Sequence, residues 1–286
     1  MDRTTIVTIT RQRIWTLTAI GVLLFVVLSW VFADGLLLPP IWNGEAWIAS
    51  PLFTYLAIVA IVVAGWAQAR TIPERGLPLR VEQTPITAGE VFDPLAWRLL
   101  LGNVFFSLLW LPLRLFIGRE WLTHGLEKIG DRAWMEGGAA LQGYWQAAVA
   151  IPDQGRPPIT YDWYRQTLQY MLDNGWYTWF AKVVAWGEVL VGLGIIAGGL
   201  VGLAAFFGTF MNFSYMLAGT ASTNPVLFGL GVFLVLAWKV AGHWGLDRWL
   251  LPALGTPWAR AEAQVDAAAT HARREPVRPE RARSQH

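Results

Sequence analysis

The chain has 286 residues, 55% hydrophobic and only 15% charged, with positive mean hydropathy. A soluble domain carries roughly 25% charge, so low charge in long apolar blocks excludes an ordinary soluble domain and defines a polytopic membrane protein. The absence of cysteine excludes disulfides, thiol chemistry and Cys-ligated zinc or clusters, and a net charge of +2, drawn largely from the tail, gives no ground for nucleic-acid binding.

The N-terminus, MDRTTIVTITRQR, is short and basic. The apolar block 14–32 is too long for a signal peptide, and no small-residue cleavage pattern follows it, so it reads as the first span. The loop 34–50 holds Pro39, Pro40, Trp42, Asn43, Glu45 and Trp47 and has no Lys or Arg. Residues 51–69 form the second span. A Pro/Gly-broken polar connection with Arg70, Arg75 and Arg80 follows over 70–90. These two spans carry no intramembrane charge, which assigns them to packing or partner contact.

The run 92–130 is long for one simple span. Asp93-Pro94 marks a helix start, and Pro112 can kink the helix or divide it. Either 96–110 lies along the interface and the span covers about 106–128, or one long tilted helix projects beyond the bilayer. The second is preferred. Its outer part, PLRLFIGREWLTHGLEKIG, places Arg114, Gly118, Trp121, Gly125 and Lys128 on one helical stripe. Glu120, His124 and Glu127 form a second stripe beside it. A charged stripe on a membrane helix must face a bundle, a cavity or the interface, and the glycines admit another backbone closely.

Residues 131–175 form the largest non-spanning segment. It is rich in Trp and Tyr, with two amphipathic helices expected at about 133–149 and 160–173 and a turn at IPDQGRPPIT. This reads as a lid on the membrane surface. A glycine-rich span follows at 176–197, with Glu188 near its middle. Gly198-Gly199 turns the chain into a fifth span, 200–217, which leads to the polar AGTASTNP. The last span is 225–240, with Lys239 and His243 near its exit. The tail 265–286, rich in Ala, Arg, Glu and Pro, is expected to be disordered.

The expected fold is therefore an all-α polytopic membrane bundle of about six transmembrane helices. Its parts are an N-terminal hairpin with its connection (1–92), a four-helix core with the lid (93–250), and a tail (251–286). Lys and Arg cluster at the N-terminus, at 70–98 and at the C-terminus, whereas loops 34–50 and 218–224 have none. The positive-inside rule then puts both termini in the cytoplasm and the lid outside, in the inner membrane of a cell.

With that topology, Arg114 and Glu188 fall at similar central depths and are expected to pair, since each alone costs a few kcal/mol in the bilayer, about 3 on insertion scales. The outer ends of the third and fifth spans bring Arg119, Glu120, His124 and Lys128 near Asn212, Ser214, Tyr215 and the 220–224 loop. This cluster has cations for an anion, a histidine for proton transfer, and amide and hydroxyl donors. One histidine without cysteine is a poor metal signal, and no metal site is expected.

The segment RLFIGREWLTHGLEKI resembles the first core helix of DoxX-like membrane proteins, whose Arg, Gly, Gly, Lys pattern stands here at Arg114, Gly118, Gly125 and Lys128. WGEVLVGLGIIAGGLVGLAAFFGTF resembles their following hairpin, with the helix glutamate at Glu188. The extended NFSYMLAGTASTNP looks more like the DoxD branch, the large subunit of thiosulfate:quinone oxidoreductase. The resemblance covers about 104–250. It implies a four-helix membrane core passing electrons from thiosulfate to quinone, with a small partner subunit that nothing in this chain resembles. On that reading His124, Glu120 and Glu188 handle protons, and Arg114, Arg119, Lys128, Asn212 and Tyr215 hold substrate. Arg132 and Lys182 are further cations for the thiosulfate dianion. Quinone, entering from lipid, is the expected cofactor or substrate, and no flavin, haem or metal motif is visible. The alternative is a non-catalytic accessory subunit of a larger respiratory or photosynthetic membrane complex. A small-anion transporter ranks third, since no inverted repeat is apparent.

Overall fold

A computed structural model describes residues 4–32, 47–82 and 89–258. Most of the loop 34–50 and the whole tail 265–286 lie outside the described residues. The chain is an all-α membrane bundle with one small sheet. β1 (Thr4–Ile9) leads into α1 (Arg11–Phe32), and α2 (Pro51–Arg70) returns to β2 (Leu77–Glu82). The short α3 (Leu95–Gly102) precedes α4 (Ser107–Gly130). Three lid helices follow, α5 (Arg132–Met135), α6 (Ala139–Val149) and α7 (Asp162–Asp173). α8 (Tyr177–Ala197), α9 (Val201–Leu217) and α10 (Asn224–Leu236) complete the bundle, and α11 (Trp238–Ala241) and α12 (Asp247–Ala253) close it.

α4 is the axis. From residue 107 to 122 every residue but Leu109 is buried, so this helix is covered on all sides. α8 lies along one flank, α1 and α2 along another, and α10 touches it as well. Pro112 sits inside α4 without dividing it. The notch it leaves is filled by Gly21 of α1, where an added Cβ would come within 3.0 Å of the Leu108 carbonyl and 3.6 Å of the Pro112 ring. α1 and α2 meet where Gly65 receives Thr18. These two spans pack on the bundle through small residues and carry no charge into it.

α1, α2 and α8 are each long and apolar enough to cross a membrane, and α3 with α4 makes a fourth span if the bent pair is counted as one. α9 and α10 are apolar but shorter. The expected single long helix over 92–130 is corrected here: α3 and the 104–130 segment are bent by 74°. The break falls at Asn103, whose backbone is extended and whose side chain accepts a hydrogen bond from the Phe105 amide, starting a new helix. Apolar periodicity continues through the bend, so it did not reveal it.

The second difference is the sheet. Thr4–Ile9 and Leu77–Glu82 pair antiparallel, Ile9 opposite Leu77 and Thr4 opposite Glu82. Ile9, Leu77 and Leu79 are buried beneath it. The sheet ties the start of α1 to the end of α2, and Arg11 Nε donates to the Ile72 carbonyl at 2.9 Å. The bundle thus has a sheet end, where α1 begins and α8 ends, and a lid end, where α4 ends and α8 begins. The lid has its own small core of Leu141, Trp145, Ala148, Ile159 and Leu168, seated on Ala181 of α8 and Ala218 after α9.

Candidate functional site

The antiparallel contact of α4 and α8 sets every polar residue in place. A Cβ on Gly125 would lie 2.7 Å from the Val189 amide, and one on Gly118 would lie 2.6 Å from Ile196 and 3.1 Å from the Gly192 carbonyl. In return, Gly192 presses on the Leu122 backbone. The stripe read from the sequence is real, and its glycines are where the two backbones meet.

That register corrects the expected Arg114–Glu188 pair. Gly125 is level with Glu188, so Arg114, three turns earlier on α4, is level with the end of α8. The two charges stand about 16 Å apart along the axis. Arg114 is wholly buried at the sheet end. Its Nε donates to the Ile195 carbonyl at 2.9 Å and its Nη2 to that of Ile196 at 2.9 Å. Its Nη1 donates to Ala241 at 2.9 Å and Trp244 at 3.3 Å. The guanidinium caps the last turn of α8, where carbonyls lack helical partners. Its counter-charge is Asp247, also wholly buried, which accepts from the Leu200 and Val201 amides at 2.5 and 3.0 Å and so caps the start of α9. Leu200 there has φ of +50°, and this bond helps hold it. Burial pushes the Asp247 carboxyl up against the opposing pull of the two amides and Arg114. Asp247 was missed in the sequence because its place beside the α8–α9 turn is a long-range contact.

Glu188 is instead the centre of a second cluster at the lid end. It is 1% exposed. Lys128 Nζ lies 2.6 Å from its Oε2 and the Tyr215 hydroxyl donates to its Oε1 at 2.7 Å. Lys128 also sits over the Trp134 ring at 5.2 Å. Tyr144 of the lid packs edge-on against Tyr215, and its hydroxyl bonds Thr220 at 2.8 Å. The Tyr164 hydroxyl donates to the Ser214 carbonyl at 2.9 Å. Burial raises the Tyr144 phenol, and burial with the neighbouring Tyr144 pushes Tyr164 up to about 12. Both lid phenols therefore keep their protons and act as latches on the end of α9. The lid was foreseen; that it would place Tyr144 and Tyr164 on this cluster was not.

Asn212, one turn before Tyr215 on α9, is wholly buried. Neither its amide nitrogen nor its oxygen has a hydrogen-bond partner among the described residues.

The remaining residues separate from this cluster. Arg119 faces the start of α2, donating to the Ile48 and Ala49 carbonyls at 2.9 Å each and to Glu120 at 3.1 Å. His124 is half-exposed, with Nδ1 3.3 Å from Glu127 Oε2 and Nε2 4.0 Å from Glu120 Oε2. The expected single outer cluster is thus two, back to back on α4. Lys128, Glu188, Asn212 and Tyr215 lie inward, and Arg119, Glu120 and His124 lie toward α2. Lys128, one turn after His124, reaches across to Glu188 of α8, whereas the His124 ring stays with Glu120 and Glu127 on α4 itself. Arg132 stands at the lid end, 3.8 Å from Glu136 and well exposed, and Lys182 is exposed on α8. Among the described residues no group of His, Asp and Glu could hold a metal ion.

Two apolar grooves lie elsewhere on the surface. One, about 470 Å³, runs between α9, α10 and α12 at the sheet end. The other, about 450 Å³, lies on α1 and α2.

Fold and site together define an integral membrane protein whose helical bundle encloses a buried carboxylate–ammonium–phenol cluster under a lid. Residues 109–221, from α4 to the loop after α9, match the DoxX family model. α10 lies outside the matched segment, yet packs on α9 and α4 as the fourth helix of the bundle. No curated protein and no solved structure matches the chain.

Proposed function

We propose that this chain is the membrane subunit of a quinone-linked oxidoreductase that takes its electrons from thiosulfate. The observation that carries the reading is Glu188, a carboxylate 1% exposed, held between an ammonium and a phenol beneath an aromatic lid. A bundle has no packing need for such a group, and buried ionisable residues in membrane helices mark proton or substrate pathways. Thiosulfate as donor is taken from the resemblance of 212–225 to the DoxD branch. In the overall reaction two thiosulfate ions lose one electron each on joining as tetrathionate, and a quinone takes the two electrons and two protons to become the quinol.

In this reading the chain supplies protons and binding. The Lys128 and Tyr215 protons both lie on the Glu188 carboxylate, and Lys128 is part-exposed at the lid end, from which a lost proton is replaced. His124, half-exposed between Glu120 and Glu127, exchanges protons with water at the same end. The chain sits in the inner membrane with both termini cytoplasmic and the lid outside. A small partner subunit completes the donor side.

A second reading is favoured by one observation. Arg114, Arg119 and Lys128, three cations on α4 that an anion would need, are already engaged within the chain. Such a protein serves as an accessory subunit of a larger membrane complex. The test is thiosulfate-dependent reduction of decylubiquinone by the protein purified with its partners. Reduction is expected; a folded, partnered protein that shows none establishes the accessory reading.

A further inference from the structure

Several buried polar atoms lack a partner among the described residues, Thr54 Oγ1 and Thr123 Oγ1 among them, but Asn212 alone has two such atoms, an amide nitrogen and an oxygen. A buried amide without partners forfeits its hydrogen bonds to water and gains none in return. Both its donor and its acceptor are open, and it stands one turn from Tyr215, whose hydroxyl is committed to Glu188. The other glycines of α8 are filled by close neighbours: Cβ atoms on Gly192 and Gly194 would meet atoms at 2.6 and 3.0 Å. Gly187 differs. A Cβ there would meet nothing nearer than the Met211 thioether at 3.9 Å, and Gly187 is itself part-exposed between the outward-facing Trp186 and Leu190. Glu188 follows Gly187 in the chain, and Asn212 follows Met211. The loosest contact between α8 and α9 is thus made by a residue with no side chain and a flexible thioether, each the chain neighbour of a buried polar residue, Glu188 and Asn212.

We propose that the gap between α8 and α9 at Gly187 and Met211 is a lateral portal, through which a neutral, lipid-soluble molecule places a carbonyl or hydroxyl on the Asn212 amide beside Glu188 and Tyr215. The Asn212 Nδ2 donates to a carbonyl and its Oδ1 accepts from a hydroxyl, so one residue serves both the oxidised and the reduced form of a quinone-like head. The ligand is neutral because Lys128 and Glu188 already compensate one another, and an anion placed here would find no uncompensated charge. The anionic donor is therefore bound elsewhere, at exposed cations such as Arg132 and Lys182 or on a partner. This inference rests on the reading of the cluster as a site for a membrane-soluble carrier.

The experiment is titration of the whole chain in nanodiscs with decylubiquinone, read by tryptophan quenching against empty nanodiscs, without any donor. Wild type binds. Asn212→Leu keeps its melting temperature, since no protein hydrogen bond is lost, and binds about tenfold more weakly. Gly187→Leu adds a side chain where a Cβ meets only the flexible Met211 thioether at 3.9 Å, folds, and weakens binding by a similar factor through the portal alone. Wild-type binding that Asn212→Leu leaves unchanged overturns the inference, as does a wild type that binds no quinone. Binding lost with Asn212→Leu but untouched by Gly187→Leu overturns the portal. Quinone bound as described by a partnered protein that shows no thiosulfate turnover supports the inference and overturns only the oxidoreductase reading.

Discussion

Arg114 and Glu188 are buried charges on facing helices, and each meets the cost of burial differently. Arg114 spreads its donors over four carbonyls, with Asp247 as counter-charge. Glu188 is held by two side chains. Removing Arg114 strands Asp247 and the end of α8 together. Arg114→Ala is therefore expected to cost about 3–5 kcal/mol, against almost nothing for Arg132→Ala, whose side chain is well exposed; thermal melting in detergent checks this. The double change Arg114→Met with Glu188→Leu gives no mutual rescue, because the two are not partners. At the sheet end, burial and the nearby Arg248 lower the His243 pKa from 6.5 to about 4. A base whose folded pKa is depressed contributes stability above its unfolded pKa and loses it as pH falls through the folded value. Wild type should lose roughly 3 kcal/mol between pH 6.5 and 4 from this residue, and His243→Gln should flatten the melting profile over that window. The helical face was legible: Arg114, Gly118, Gly125 and Lys128 of the stripe do meet α8. Their pairing was not, because each helix's periodicity fixes a face but not the axial register between two helices.

At the level of elements, that register is held by glycine. A Cβ on Gly192 would stand 2.6 Å from the Leu122 amide, which backbone cannot yield cheaply. Gly192→Ala should destabilise by about 1–3 kcal/mol, whereas Gly143→Ala, where nothing lies within 4 Å, should be neutral or slightly stabilising; chemical or thermal unfolding separates them. The lid is latched by phenols. Tyr144→Phe and Tyr164→Phe each remove one hydrogen bond, about 1 kcal/mol, and should raise amide exchange in α6 and α7 while leaving α4 protected. The lid helices were readable from their amphipathic pattern. The bend at Asn103 and the β1–β2 pairing were not: one hides inside a continuous apolar period, and the other joins segments about seventy residues apart whose short alternation is ordinary on its own.

For the whole molecule, the class of fold followed from composition, and the sides of the membrane rest on arginine counting. Cysteines placed at Gln154 in the lid and Glu74 at the sheet end, in this cysteine-free chain, should label from opposite sides of sealed cells, with only the first reached by an impermeant reagent. On the proposed function, the buried Glu188 carboxylate works on protons during quinone reduction. The most direct measurement is thiosulfate-to-decylubiquinone turnover of Glu188→Gln beside its melting temperature, in the partnered protein. The amide keeps the shape and the Tyr215 hydrogen bond but cannot take a proton. Turnover is expected to fall by about a hundredfold or more with the fold intact. Wild-type turnover in folded Glu188→Gln would remove Glu188 from the proton path.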